Sequence, residues 1–419
     1  MALTGRPGGP PLVPPGRGAT LAAELAVQFA ALTGVRVDGA RLLSERAAFT
    51  GRRRGGAVSA GGACRLLPTA DGWAAVSCAR PDDPALLGAL ISADVGDDPW
   101  PAVTRWLADH TGAELRERAD LLGLAAAPVL SPFLHARLTA PPSNTVPSNT
   151  VPPSRQQPVT TSSPLDGVLV ADFSVLWAGP LCAHLLGLAG ARVVKVETPS
   201  RPDGARRGDP GFYRLLHAGH RGVAFDPLTG QGREALAALV DAADIVIESS
   251  RPRALARFGL DADAAVTAGT TWVSITAYGR AVDRIGFGDD VAAGGGLVAT
   301  DHDGHPLFAG DAIADPLTGL TAAVAAASAP AGGALLDIAM SGAIAAALDP
   351  AASGHGNRAG RPSTPARRTE NGWVVDTEAG PVRVAAPRRR PGQDGTAAAL
   401  GEHTAEVSAE LGLSWPQMS

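Results

Sequence analysis

Residues 165–197 read LDGVLVADFSVLWAGPLCAHLLGLAGARVVKVE, and three patterns follow one another in that stretch. Val168 to Phe173 is an apolar run short enough to be a strand buried on both faces. Pro180 to Leu188 has helical length, with its proline near the first position, where the missing N–H costs nothing. Ala191 to Glu197 reads as a second strand. A strand, a helix and a strand in such close succession point to parallel pairing with a crossover helix. The alternation continues: Gly222 to Asp226, Ala243 to Glu248 and Trp272 to Thr276 read as strands, and Gln231 to Val240 and Pro316 to Ala327 as helices. Ala334 to Leu348 reads as one more helix, apolar nearly all round and therefore buried. The core spans 165–350.

On the upstream side, 138–164 turns into Pro, Ser, Thr and Asn and carries the tandem repeat Ser143-Asn-Thr-Val-Pro147 and Ser148-Asn-Thr-Val-Pro152. With little to bury, it reads as a semi-extended linker. Residues 19–137 read as a small mixed α+β domain. In it Leu21, Leu25, Phe29 and Leu32 recur at helical spacing, with Thr20 as a cap and Gly34 as the stop. Leu66 to Val76 reads as a hairpin turning at Asp71-Gly72. Val103, Trp106 and Leu107, then Leu115, Leu121 and Leu122, mark two further helices. Residues 1–18, rich in Gly and Pro, read as a disordered N-terminus. Residues 351–419 read as a C-terminal extension returning to the core, with a hairpin from Trp373 to Val384 and a last helix near Ala405 to Leu411.

Composition narrows the partners. The 419 residues carry 36 basic and 41 acidic side chains, a formal net charge of -5. That balance gives no electrostatic footprint for nucleic acid or for an anionic membrane. Cys64, Cys78 and Cys182 stand far apart, with the spacing of neither a disulfide framework nor a zinc site, so no metal site is expected. No apolar run approaches the roughly 20 residues of a membrane span. The chain reads as cytoplasmic.

The fold class is therefore α/β, a Rossmann-like parallel core with a smaller mixed α+β domain. A dinucleotide cofactor does not follow from it. Between the first strand and first helix stands Val175-Leu-Trp-Ala-Gly-Pro180, where Trp177 obstructs the close pyrophosphate approach that the glycines of a dinucleotide fingerprint permit. Glu197 then reads as an ordinary strand-end acid.

Leu165 to Ser174, Ala178-Gly-Pro180 and Leu188 to Glu197 resemble the opening of the family III (CaiB/BaiF-type) CoA-transferases. Gly222 to Asp226, Ala243 to Glu248, Arg251 to Gly259 and Ser274 to Gly279 resemble that family's later blocks in the same order, and Leu400 to Val407 resembles its C-terminal end. The resemblance implies a CoA-transferase whose nucleophile is an aspartate opening a helix shortly before a glycine. In Gly310-Asp-Ala-Ile-Ala-Asp-Pro-Leu-Thr-Gly319 the match falls on Asp315. Without the family, Asp315 before Pro316 is a good helix N-cap.

It implies further that the carboxylate attacks an acyl-CoA thioester, that an aspartyl anhydride and an aspartyl-CoA thioester follow, and that an incoming carboxylic acid completes the exchange. Acyl-CoA and a carboxylic acid are the expected partners. Coenzyme A is then a substrate, and no permanently bound cofactor is expected. Ala178, Arg221, Phe225, Ser249 and Arg257 are the CoA-binding positions carried over, with the arginines facing phosphates and Phe225 near the adenine. Gly294-Gly-Gly296 is a candidate backbone-rich loop for the oxyanion. His217 and His220 read as exposed loop histidines without a role.

Two features depart from the pattern. Related racemases place a histidine where this chain has Gly286-Phe-Gly-Asp-Asp290, so the second base of a racemase is missing, and Asp289 and Asp290 read as solvated or structural. The small domain, which the family carries after the core, resembles Arg65 to Ser77 and the helices ending at Leu124, placed ahead of it. A CoA-binding partner subunit without catalysis and an acyl-CoA racemase are the alternatives to a transferase. The resemblance also implies a homodimer.

Overall fold

The computed structural model describes residues 1–130, 165–349, 362–392 and 395–413; the stretch read as a linker, 138–164, lies outside them. The chain begins with α1 (Gly18–Thr33), α2 (Gly39–Leu42) and α3 (Glu45–Thr50), then β1 (Cys64–Thr69), β2 (Gly72–Ser77), α4 (Asp83–Ile91), α5 (Trp100–Ala108), α6 (Gly112–Leu122) and β3 (Ala126–Pro128). After residue 165 come β4 (Leu169–Asp172), α7 (Ala178–Leu188), β5 (Arg192–Glu197), α8 (Pro210–His217), β6 (Arg221–Ala224), α9 (Gly230–Ala242), β7 (Ile245–Glu248), α10 (Pro252–Ala256), α11 (Ala262–Ala268) and β8 (Thr271–Thr276). There follow α12 (Gly288–Gly294), the hairpin β9 (Val298–Thr300) and β10 (Pro306–Phe308), α13 (Ala314–Ala327), β11 (Ala334–Ala339) and α14 (Met340–Leu348). The C-terminal part holds β12 (Arg367–Thr369), β13 (Gly372–Thr377), β14 (Gly380–Arg383) and α15 (Thr404–Glu410).

The central sheet has six strands in the order β11-β8-β7-β4-β5-β6, and every neighbouring pair is parallel. Taken in chain order, the strands lie 6-5-4-1-2-3, the arrangement of a doubly wound sheet. Side chains alternate between its faces. Val170, Ile245, Ile247, Val273 and Ile275 pack with α7, α13 and α14 on one side, and Leu169, Ala171, Val246 and Trp272 pack with α9 and α11 on the other. Both faces are covered, which is why β4 and β7 are buried at every position.

Ala334 to Leu348 is two elements instead of one helix. Ala334–Ala339 pairs along Thr271–Thr276 as β11, and the helix begins only at Met340. An apolar run broken only by Asp337 and Ser341 carries no clear period to separate strand from helix, and here the open edge of β8 decided. Thr20 does not cap α1, which starts earlier, at Gly18; Gly34 does end it, in the left-handed conformation.

Residues 1–18 are not disordered. Leu3 and Leu12 are buried, Leu12 bridges to Pro365, and the Thr4 hydroxyl accepts the Gly310 N–H. The unit read over 19–137 divides in two. Ala22, Leu25, Ala26, Phe29, Leu42 and Leu43 join the main core cluster. The three-stranded antiparallel sheet β1-β2-β3 and α4 to α6 form a cluster of their own around Leu87, Val103, Leu107 and Leu115. At the other end α15 packs on β6, where Thr404 accepts the Ala224 N–H. No helix among the described residues is long and apolar enough to cross a membrane.

Candidate active site

After β10 the chain turns through Gly310 to Ile313 into α13. Gly310 has φ +79° and Ala312 φ +45°. For alanine that left-handed value costs on the order of 1–3 kcal/mol, and such strain persists only where the surroundings hold it. They do so here: the Ala312 N–H donates to Asp289 Oδ1 at 2.8 Å, and the Asp315 N–H donates to the Ala312 carbonyl at 2.9 Å. Asp315 therefore stands inside the first turn of α13. The N-cap position expected for it belongs to Ile313, whose side chain forms no cap.

Two glycines permit the close packing around it. A Cβ on Gly288 would stand 2.5 Å from the Ala312 carbonyl oxygen and 2.7 Å from Asp315 Oδ2, so the carboxyl group rests directly on the start of α12. A Cβ on Gly319 would stand 2.5 Å from the Ala178 carbonyl oxygen, so α13 and α7 cross at that point. The crossing ties Asp315 to the turn after β4.

Four carboxylates and two guanidiniums gather there. Asp311 is fully buried and receives Arg46 Nε at 3.0 Å, Arg46 Nη2 at 2.5 Å and Arg52 Nη1 at 3.3 Å. Arg46 also lies over the Trp177 ring, 4.6 Å from its centroid. Asp290 Oδ1 accepts from the Phe287 N–H at 2.9 Å and from the Ser77 hydroxyl at 2.8 Å. Asp289 and Asp290, read above as solvated or structural, thus belong to the site, and Asp290 has no exposed surface.

Proton affinities follow from burial first. Burial raises the Asp315 carboxyl to about 7; Asp289, Asp311 and Asp290 add to the rise and Arg46 opposes it. Burial, then Asp311, lifts Asp289 to about 6, and burial lifts Asp290 to about 7 against its hydrogen bonds. Asp311 is also raised by burial, but Arg46 and Arg52 outweigh this and hold it below the usual carboxylate range. Asp315 and Asp289 are both half-buried and both stand in the first turn of a helix, but Asp289 Oδ1 is engaged by the Ala312 N–H. Ionised, Asp315 is a nucleophile, and near neutral pH it gives up and takes back its proton easily.

Residues 165–399 match the model of CoA-transferase family III. The chain belongs to that family. Among curated proteins it is 31% identical over 177 residues to a succinate–glutarate CoA-transferase of Agrobacterium fabrum, covering 38% of this chain and 44% of that one. It is likewise 31% identical over 169 residues to a formyl-CoA:oxalate CoA-transferase of Rhodopseudomonas palustris, covering 37% and 40%. The chain thus spans less than half the length of these relatives. Among solved structures, a CaiB/BaiF family protein from Brucella suis aligns with TM-score 0.43 at 26% identity, covering 52% of this chain and 65% of that one. A hypothetical protein from Mycobacterium tuberculosis aligns with TM-score 0.46 at 29% identity, covering 52% and 66%.

In this family III chain the residues carried over for CoA do not all come together. Adjacent strands β4 and β7 form the switch point of the sheet, where a doubly wound fold opens a crevice. Ala178 opens α7 there, and the Ser249 hydroxyl accepts the Val175 N–H at 2.9 Å across the gap. Val175 and Leu176 are each 39% exposed in that crevice, and Leu176 is held at φ +70°. Arg257 lies exposed at the end of α10.

Arg221 and Phe225 fit less well. Arg221 is engaged by Glu410 at 2.6 Å and Glu406 at 3.5 Å. Phe225 has no exposed surface, because it packs behind the sheet with Val223 and Leu239, and so offers no face to an adenine. Gly294 to Gly296 is a packing turn, with Ala127 beneath Gly294 and Ile344 beneath Gly295. His217 and His220 are buried, not exposed. Glu197 is held by Arg206.

Sequence reasoning missed Arg46, Arg52 and Asp311. Asp311 had a signal, standing one helical turn before Asp315. Arg46 had none, being separated from Asp311 by 265 positions.

Proposed function

We propose that this chain transfers coenzyme A between an acyl-CoA thioester and a carboxylic acid, with Asp315 as the nucleophile. The observation that carries the reading is the Asp315 carboxyl itself, accessible, raised to about 7 and set on the strained turn at the head of α13. The ionised carboxylate attacks the thioester carbonyl, giving a mixed anhydride on Asp315 and CoA thiolate. The thiolate attacks the aspartyl carbonyl of that anhydride, releasing the donor acid and leaving an aspartyl-CoA thioester. An acceptor carboxylate displaces the thiolate to form a second anhydride. The thiolate then takes its acyl group, and Asp315 is restored as a carboxylate.

Each step needs a site that excludes water, since both anhydrides hydrolyse. The buried surroundings of Asp315, with Trp177 at 1% exposure nearby, suit that need. CoA would enter along the switch-point crevice past Val175, Leu176 and Ser249, with Arg257 at its rim for phosphate. The relatives are named for short carboxylic acids, so succinyl-CoA and formyl-CoA are the donors to try first.

Mass spectrometry of the protein after incubation with these donors, with hydroxylamine trapping, tests the reading. An acyl or CoA adduct on Asp315, absent from Asp315→Ala, is expected. CoA binding without any adduct would replace transfer by the CoA-binding reading.

A further inference from the structure

The carboxylates around Asp315 come from the core, but the guanidinium facing them does not. Arg46 lies on α3, outside residues 165–399 that match the family. Its Nε and Nη2 grip the two oxygens of Asp311, and its face rests on Trp177, which meets Phe212 edge-on at 5.3 Å. A planar guanidinium held by a fork along its edge and an aromatic ring on its face has little room to move.

The groups around Asp315, among the described residues, can be named element by element. Asp289 and Asp290 face it from α12, Asp311 from its own turn, and Arg46 from α3, with Arg52 behind Asp311. Farther along α13, Ala178 and Leu181 from α7 meet Gly319, and Gly18 of α1 meets Leu317. Arg46 is thus the cation that Asp315 feels directly. Without it Asp311, wholly buried, keeps only Arg52 at 3.3 Å, and the carboxylates of the turn repel one another.

We propose that Arg46 is the positioning residue of this site: held against the Trp177 ring and clamped on Asp311, it fixes the strained turn that presents the Asp315 carboxyl. The N-terminal segment is then a working part of the active site. The catalytic meaning of this rests on the transferase reading; its test does not. Asp315 is titrated directly, by carbon-13 NMR of protein labelled at the aspartate carboxyl carbons, with its resonance assigned by its loss in Asp315→Asn. In Arg46→Gln, which keeps a hydrogen bond to Asp311 but loses the charge, the midpoint rises by about one pH unit or more. In Arg46→Lys, which keeps the charge, it stays.

A midpoint unmoved in Arg46→Gln overturns the proposal, as does an equal shift in Arg46→Lys. Should Arg46→Gln fail to fold, Asp311→Asn decides. In that background no carboxylate needs Arg46 as its partner, so adding Arg46→Gln raises the midpoint above that of Asp311→Asn alone, and equal midpoints overturn the proposal. Adduct formation on Asp315 at pH 7 gives a second readout, falling about tenfold in Arg46→Gln and recovering at higher pH. A wild type inert to acyl-CoA would sink the transferase reading while the titration still decides the role of Arg46.

Discussion

Around Lys195 the carboxylates of Asp172 and Asp203 stand 3.8 and 3.2 Å away, and Glu197 is held by Arg206, two cations for three carboxylates. Around Asp315 the same number of cations, Arg46 and Arg52, serves four, counting Asp289, Asp290 and Asp311. The first cluster is tied to backbone throughout. Asp172 accepts the Ser174 N–H, Asp203 accepts the N–H groups of Leu176 and Ala205, and the Lys195 ammonium donates to the Ser174 carbonyl. It shapes the loop after β4. The second sets four carboxylates against two guanidiniums, beside a turn that includes a strained alanine. Burial raises a carboxyl in both clusters, Asp172 in the first, but the first is anchored as a scaffold, while the second, shorter of cations, holds carboxyls raised to about 6 and 7, where an enzyme works.

That contrast can be broken. Lys195→Met leaves Asp172 and Asp203 buried without their cation and is expected to remove about 3–5 kcal/mol in chemical denaturation. Asp315→Asn, measured in the same way at pH 8, is expected to lose no stability, since it relieves repulsion. Equal losses would erase the distinction.

A smaller effect sharpens it. The Asp290 carboxyl rises from 3.8 unfolded to about 7 folded, so the folded chain binds the proton more tightly. Its contribution is intact below pH 4 and is lost as pH climbs through 7. Asp290→Asn should therefore be less stable than the wild type by about 2 kcal/mol near pH 4, where only the lost Ser77 and Phe287 bonds count, and more stable by about 2 kcal/mol at pH 8, at about 1.4 kcal/mol per pH unit. A difference in melting temperature that stays constant across this window would contradict it.

The smallest effect is at the surface. Arg221 pairs with Glu410, whose side chain is 49% exposed, so Arg221→Ala should cost about 0.5 kcal/mol and leave CoA affinity unchanged. Loss of CoA binding in calorimetry would return Arg221 to the nucleotide site.

The parallel core was legible because strands buried on both faces are written as short apolar runs between helices, and the aspartate at the head of α13 because a resembling motif surrounds it. β11 was not legible: Ala334 to Ala339 is apolar but for Asp337, and pairing with β8 chose its conformation. Phe225 was assigned to adenine by position alone, and packing put it in the core.

The sequence by itself determined the alternation of most core strands and helices and the Rossmann-like α/β class, which depend on local pattern, and a family resemblance supplied the nucleophile candidate. The tertiary structure decided that Arg46 meets Asp311, that Asp289 and Asp290 close around Asp315, and that residues 1–18 pack on the core. Apart from Asp289 and Asp290, those contacts join residues hundreds of positions apart. Their energies come from burial and charge at close range, which no spacing along the chain records.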